Sequence, residues 1–328
     1  MPRSLTDPWS LGGLPVPNRV VLAPLAGIGN WFVRLQARRH GAGLVVSEMV
    51  SSFAIHYGNE RTLTELLRIH PDERLAGPGP IAIQLFGQDP AVMRSAAAPV
   101  AAAGADLIDL NMGCPVPKVM KTGAGAALLK DPDTAVAVAI AAAEGSGLPV
   151  TVKLRAEGVP VARRLAEEAG VAGITFHPRN VDVRHKGTPD YALAAQLVAD
   201  LDVPVIVSGG MQGAEHIRAV FESTGCAAVM IARGGLGNPW LFEQLLGTRD
   251  GEPDAGEVVG EWLWVLDRAV EHLGAPRAAA YLKKFHPWYV ERLGATKEVQ
   301  NRLQLAGTVA EQRSVIEALA PVLSSATA

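Results

Sequence analysis

The stretch Ala105-Asp106-Leu107-Ile108-Asp109-Leu110-Asn111-Met112-Gly113-Cys114-Pro115 decides the fold. Its first half is an apolar run of the kind a buried strand makes, and its second half breaks that run with an amide, a glycine, a thiol and a proline. A lysine follows at 118 and a small-residue loop, Thr-Gly-Ala-Gly-Ala-Ala, at 122–127. In a core, a cysteine is a small apolar filler. At the C-terminal end of a strand, beside an amide in a Gly/Pro loop, it is placed to act on a ligand.

The same unit recurs in both directions along the chain. Residues 20–27, 43–50, 80–87, 106–115, 149–155, 173–179, 204–210 and 228–234 are short, continuously apolar and rich in Val, Ile and Leu. Parallel strands buried on both faces have this pattern. Helical stretches separate them at 90–103 (after Asp89, a helix N-cap), 133–144, 159–169, 191–200 and 213–223, and the longer segment 51–79 holds a helix near 60–69. Eight strand–helix units predict a TIM (β/α)8 barrel, an α/β fold with its chemistry at the strands' C-terminal ends; a doubly wound sheet is the alternative. Residues 8–19, with Pro8, Gly12, Gly13, Pro15 and Pro17, can form a hairpin plugging the other end.

After Phe242 the composition shifts. Residues 247–256 are charged and Gly/Pro-containing, as in a linker. Beyond them 256–273, 276–292, 296–307 and 309–323 have amphipathic helical patterns, and the tail 324–328 is expected to fray. The expected division is a catalytic barrel over 1–246 and a small helical bundle over 247–328.

The chain has 328 residues, 48% of them hydrophobic and 19% charged, enough for a large core. Its net charge of −3 means that a nucleic-acid partner needs local basic patches, not a global field. Cys114 and Cys226 lie in unlike contexts, with no CxxC or Cys/His spacing. That argues for a reducing, cytoplasmic setting, without a disulfide or a metal site. No apolar run approaches the ~20 residues that span a bilayer.

Polar residues collect at the strand ends. The first strand ends at Pro24-Leu25-Ala26, the second at Ser47-Glu48-Met49, and the third carries Gln84. The fourth ends at Asn111 and Cys114, the fifth at Lys153 and Arg155, the sixth at His177 and Arg179, the seventh at Ser208-Gly209-Gly210 and the eighth at Ala232-Arg233. Glycines at the last two ends suit a phosphate held by backbone N–H groups. Gln84 and Asn111 suit the edge of a planar heterocycle. His177 suits a hydrogen bond to ring or phosphate, and Lys153 suits negative charge on a reduced ring. Each also has a bland reading: Lys153 pairing with Glu48, the amides satisfying backbone, His177 structural. Cys114 has no evident neighbouring base for nucleophilic work and no close redox partner, so general acid is its best role, with an inert thiol as the alternative. Cys226 is a core residue.

These segments, with Lys118-Val119, Ala126-Ala127-Leu128-Leu129 and Arg233-Gly234-Gly235-Leu236-Gly237-Asn238-Pro239-Trp240, resemble the tRNA-dihydrouridine synthase family in its bacterial B form. The likeness runs in order along nearly the whole chain, and Lys283-Lys284-Phe285-His286-Pro287-Trp288-Tyr289 is similar to the family's basic tail helix. The resemblance implies a barrel that binds FMN and a helical domain that binds tRNA. NADPH reduces the flavin, hydride passes to carbon 6 of a uracil, and Cys114 protonates carbon 5. It implies that Pro24, Leu25, Ala26, Gln84, Asn111, Lys153, His177, Ser208, Gly209, Gly210, Ala232 and Arg233 hold the cofactor. By the same likeness Lys118, Arg179, Arg184, Lys186, Lys283, Lys284 and His286 face the RNA. A monomer suffices for this work. The chain departs from the family at Leu25, often Met; at Gly29-Asn30, often Thr-Asp; and at Ser208-Gly209-Gly210, usually Asn-Gly-Asp. It also departs at Pro178, Asn180, Val183 and His185. The competing functions are a small-molecule flavin oxidoreductase of the dihydroorotate or dihydropyrimidine dehydrogenase type and an RNA-binding protein with a vestigial flavin site.

Overall fold

Eight parallel strands close on one another in the computed structural model, which describes residues 3–183 and 185–319. A two-stranded hairpin precedes them, β1 (Trp9–Leu11) and β2 (Leu14–Val16). The barrel strands are β3 (Val20–Leu22), β4 (Leu44–Ser51), β5 (Ile81–Phe86), β6 (Leu107–Met112), β7 (Val150–Arg155), β8 (Gly173–His177), β9 (Val205–Ser208) and β10 (Ala228–Ile231). Each pairs with the next in chain order, and β10 returns to β3. Closure settles the choice between barrel and open sheet in favour of the barrel. Its strands are buried on both faces, which is why they read as unbroken apolar runs.

The hairpin was expected to plug the barrel and does so. Leu11 and Val16 are fully buried in one cluster with Val21, Leu44, Ala82, Leu107 and Ala228 from the strands' N-terminal halves. One end is thus sealed by apolar side chains, leaving the C-terminal end for chemistry. Helices Pro90–Ala102, Pro132–Ser146, Val159–Glu167, Tyr191–Asp200 and Ala214–Thr224 follow their strands as expected. Most strands are shorter than their apolar runs, because those runs continue past the last ladder bond into the rim loops. The 51–79 segment differs: it forms short helices at Ser52–His56 and Pro71–Leu75 around a single π-type turn at Thr62–Leu66.

Compact packing divides the chain between Arg233 and Gly234, ahead of the linker at 247–256. The second unit is helical. Its longest helix, Ala255–Leu273, starts with a reciprocal cap between Asp254 and Glu257. Trp262 on this helix stacks on Tyr289 at 5.3 Å, and both rings are buried. The stretch expected as one helix over 276–292 is two, Ala275–Leu282 and His286–Arg292. Pro287 sits in the first turn of the second, where its missing N–H costs nothing, and it would have broken a continuous helix. Helices Lys297–Leu305 and Val309–Glu317 follow among the described residues. Arg184 and the tail 324–328 lie outside the described residues. Among the described residues no helix is long and apolar enough to cross a membrane.

Candidate active site at the barrel mouth

Strand register sets the site. Gln84 on β5 pairs with Asp109 on β6, and Asp109 with Thr151 on β7. Two residues further along, Asn111 pairs with Lys153; beyond them Arg155 pairs with His177 on β8. Residues two apart on a strand share a face. The polar groups therefore stack toward the C-terminal end in tiers.

The lower tier is a hydrogen-bonded series. Asp109, 1% exposed, accepts from Gln84 Nε2 at 2.6 Å and from Thr151 Oγ1 at 2.7 Å. Gln84 Oε1 accepts from Asn111 Nδ2 at 3.0 Å. Asn111 Oδ1 then accepts from the backbone N–H of Gly113 at 3.2 Å and of Cys114 at 2.9 Å. The Cys114 carbonyl accepts from Ala126 N–H at 3.1 Å. Gly125, at φ +63°, lets the 122–127 loop come this close; a Cβ there would stand 2.8 Å from the Cys114 carbonyl oxygen. Cys114 is a free thiol, part-buried at the rim.

The upper tier is cationic. Lys153 Nζ is 3.5 Å from Ser208 Oγ, and burial lowers its pKa to about 8, against the pull of Asp109. Arg155 donates from Nε to the Gly113 carbonyl at 3.0 Å and from a terminal nitrogen to the Asn180 carbonyl at 3.2 Å. It ties the cysteine loop to the loop after β8. The Cys114 thiol lies within coulombic reach of both cations. Burial, then the charges of Lys153, Arg155 and Arg179, push His177 down to about 2. The ring is therefore neutral. Its Nε2 lies 3.0 Å from an Arg179 nitrogen that can only donate, so Nε2 accepts and Nδ1 carries the proton. Arg179 also donates twice to the Gly187 carbonyl, at 3.2 and 2.7 Å, holding the loop around residue 187.

Beside His177 the backbone turns through Gly209 (φ +93°) and Gly210 (φ +73°). A Cβ on Gly209 would come within 2.3 Å of the His177 ring, and one on Gly210 within 2.5 Å of Tyr191 Oη. Only glycine leaves this stretch of backbone bare. Tyr191 Oη donates to the Gly209 carbonyl at 2.8 Å and fixes the turn. Exposed Arg233 follows β10 through Ala232 and acts electrostatically on His185 and Arg179. Among the described residues Lys153, Arg179 and Arg233 form no ion pair. On the opposite side, Glu48 accepts from Gly27 N–H at 2.7 Å and pins the Pro24-Leu25-Ala26 turn to a β-bulge in β4.

These residues fit a planar heterocycle that carries a phosphate. Bare backbone and uncompensated cations suit the phosphate, Lys153 suits an electron-rich ring, and the Nδ1–H left to His177 suits the ring's polar edge.

The structure brings Pro24, Leu25, Ala26, Gln84, Asn111, Cys114, Lys153, His177, Ser208, Gly209, Gly210, Ala232 and Arg233 to the strand-end rim; Lys118, on the short helix Pro117–Met120, and Lys186, on the loop after β8, are exposed. Gln84 differs from expectation in orientation: it is 1% exposed and its amide is spent largely on Asp109 and Asn111. Arg184 falls outside the described residues. In the helical unit, Lys283 and exposed Lys284 sit in the turn between two helices, with Lys284 Nζ 4.8 Å from the Tyr281 ring centre. His286 requires correction as an RNA contact. It is fully buried and accepts from Trp262 Nε1 at 3.2 Å, so its ring packs the unit's interior. Sequence reasoning missed Asp109, Thr151 and Tyr191. A carboxylate inside an apolar strand was the available signal for Asp109; Thr151 and Tyr191 carried none.

The barrel shape is shared with solved reductase structures. A morphinone reductase variant in complex with tetrahydroNAD superimposes with a TM-score of 0.58 at 19% identity, over 78% of this chain and 94% of that one. A 2-naphthoyl-CoA reductase does so with 0.60 at 14% identity, over 76% and 53%. At these identities the likeness speaks for the fold. Sequence relatives are nearer. The tRNA-dihydrouridine synthase B of Xanthomonas campestris is 33% identical over 292 residues, covering 86% of each chain. That of Pseudomonas aeruginosa is 33% identical over 309 residues (90% of this chain, 91% of the relative), and that of Yersinia pestis 31% over 319 (94% and 98%). The family model described as dihydrouridine synthase matches residues 21–326. A match of that extent, over a barrel whose mouth holds a thiol among amides and cations, means that this chain belongs to the dihydrouridine synthase family.

Proposed function

We propose that this protein is an FMN-dependent tRNA-dihydrouridine synthase that reduces the C5=C6 bond of a uridine with NADPH as reductant. The observation that carries the reading is the free thiol of Cys114. It is held at the rim by Asn111 and stands within coulombic reach of Lys153 and Arg155. That is what a proton donor to a pyrimidine needs. When bound, FMN would supply the hydride for carbon 6, with NADPH as its source.

The chain's own residues do the rest. Gly209 and Gly210 give the phosphate bare backbone, with Arg233 as counter-charge. Neutral His177, protonated on Nδ1, donates a hydrogen bond without adding charge. Lys153 offsets negative charge on the reduced ring. Asn111 and the 122–127 loop orient Cys114, whose Sγ gives its proton to carbon 5 of the uracil. Solvent then returns a proton to the sulfur. Lys118 and Lys186 offer phosphate contacts near the mouth, and Lys283 and Lys284 on the helical unit. A uracil in folded RNA must be turned out of its stack to reach the thiol. The work places the protein in the cytoplasm, as a monomer and without a metal.

The test is to incubate tRNA lacking dihydrouridine with the protein and NADPH and to map uridines that gain two hydrogens by mass spectrometry. Reduction of orotate or free uracil with untouched tRNA would favour the small-molecule oxidoreductase instead.

A further inference from the structure

Asp109 is a buried carboxylate that the proposed chemistry does not use. It lies one tier below the rim on β6 and is 1% exposed. Among the described residues it forms no ion pair. Its hydrogen bonds run to Gln84 and Thr151, both of which donate to it.

A carboxylate has no hydrogen to give, and that fixes the direction of everything above it. Gln84 must turn its NH2 toward Asp109, so its carbonyl oxygen faces Asn111. Asn111 must then turn its NH2 toward Gln84, so its own oxygen faces the N–H groups of Gly113 and Cys114. Were either amide flipped, like would meet like. The Gln84 main chain is held as well, its N–H donating to Ser47 Oγ at 2.9 Å. Burial raises the Asp109 carboxyl to about 6, which still leaves it ionised at neutral pH.

We propose that Asp109 is a positioning residue for the proton donor: through Gln84 and Asn111 it orders two amides in one direction and so sets the main chain of Cys114. The inference rests on the reading of Cys114 as the acid, but its first readout does not need tRNA.

The experiment compares Asp109→Leu and Asp109→Asn in the full-length flavoprotein. Leu is near in size and cannot accept. Asn can accept from Gln84 with its carbonyl while donating to the Thr151 hydroxyl, so it preserves the direction. With Asp109→Leu, iodoacetamide should alkylate Cys114 at least roughly fivefold faster at fixed pH, because the loop loses its anchor. Reoxidation of the reduced flavin by tRNA should slow about 100-fold, as expected when a reacting group is misplaced by an ångström. Flavin content should stay at the parent level, and because both variants remove the charge that supports Lys153, any change in the NADPH step should be equal in Asp109→Leu and Asp109→Asn. Asp109→Asn should restore both the alkylation rate and the reoxidation rate.

Parent-like alkylation in Asp109→Leu would overturn the proposal, as would an Asp109→Asn variant no better than the Leu variant. Should Asp109→Leu fail to fold, Gln84→Leu cuts the same series one link later. The same acceleration of alkylation is expected there, and its absence would equally overturn the proposal. If the parent protein proves inactive on tRNA, the functional reading fails while the alkylation comparison still decides this one.

Discussion

The side-chain oxygen of Asn111 accepts the backbone N–H of Cys114 at 2.9 Å, so the strand that ends at Met112 also holds the main chain of the thiol. The proposed acid is thus built onto the rigid barrel and not left to a free loop. Replacing the thiol alone should therefore leave the scaffold intact. Cys114→Ala is expected to retain flavin and NADPH reduction while slowing the tRNA-dependent step by about 10²- to 10⁴-fold, the range typical of a lost general acid. Separate measurement of the two half-reactions checks this, and a parent-like second half-reaction would remove Cys114 from the chemistry.

Lys153 is a cation with no carboxylate partner among the described residues, kept protonated at neutral pH despite burial. Lys153→Met removes the charge with little change of volume. The flavin's midpoint potential should fall, because the reduced, more negative ring loses its counter-charge. Spectroelectrochemical titration reads this directly. In the parent the potential should begin to fall more steeply above about pH 8, where Lys153 loses its proton. An unchanged potential in the variant would place the ring elsewhere.

Gly209→Ala asks for a β-carbon at φ +93° and 2.3 Å from the His177 ring. The turn must move, and the bare backbone moves with it. Flavin affinity is expected to drop at least about tenfold, a loss of ~1.4 kcal/mol. Equilibrium dialysis on refilled apoprotein measures it, and parent-like retention of flavin would argue against this turn as the phosphate site.

His286 gives a pH-dependent stability. Burial pushes its pKa down to about 4, so the folded helical unit holds the ring neutral where the unfolded chain would protonate it. The contribution is complete above the unfolded value of about 6.5 and is lost as pH falls toward about 4. Between pH 7 and pH 5 this one group should cost on the order of 2 kcal/mol. Urea unfolding of the full chain followed by tryptophan fluorescence should show that slope, and His286→Gln should flatten it. Equal slopes in parent and variant would mean that the ring titrates freely.

Much of the architecture was legible because a parallel barrel buries both faces of every strand and so writes itself as apolar runs. The hairpin was legible from its glycines and prolines. Strand ends were less so, since apolar residues such as Ala23 and Met211 continue past the ladder into buried rim turns. The tail misled for a related reason. Helical periodicity continues from Ala275 to Arg292, and only Pro287 signals the break. At the site, residue types announced the rim, because Asn111, Cys114, Lys153 and His177 are conspicuous after apolar strands. Direction was not announced. Gln84 pointed to a ligand by type but turns toward Asp109, and His286 suggested a basic face by its neighbours but lies inside. Both depend on which side of an element faces the interior, a tertiary fact that local pattern carries only weakly.

If the proposed function holds, a reduced flavin in this barrel is emptied by tRNA. The measurement is anaerobic: reduce the purified flavoprotein with NADPH, add tRNA lacking dihydrouridine, and follow the flavin absorbance. Rapid reoxidation by tRNA, with none from free uracil or orotate and none in Cys114→Ala, is the expected result. A flavin that stays reduced with tRNA but is reoxidised by a small pyrimidine would contradict the account.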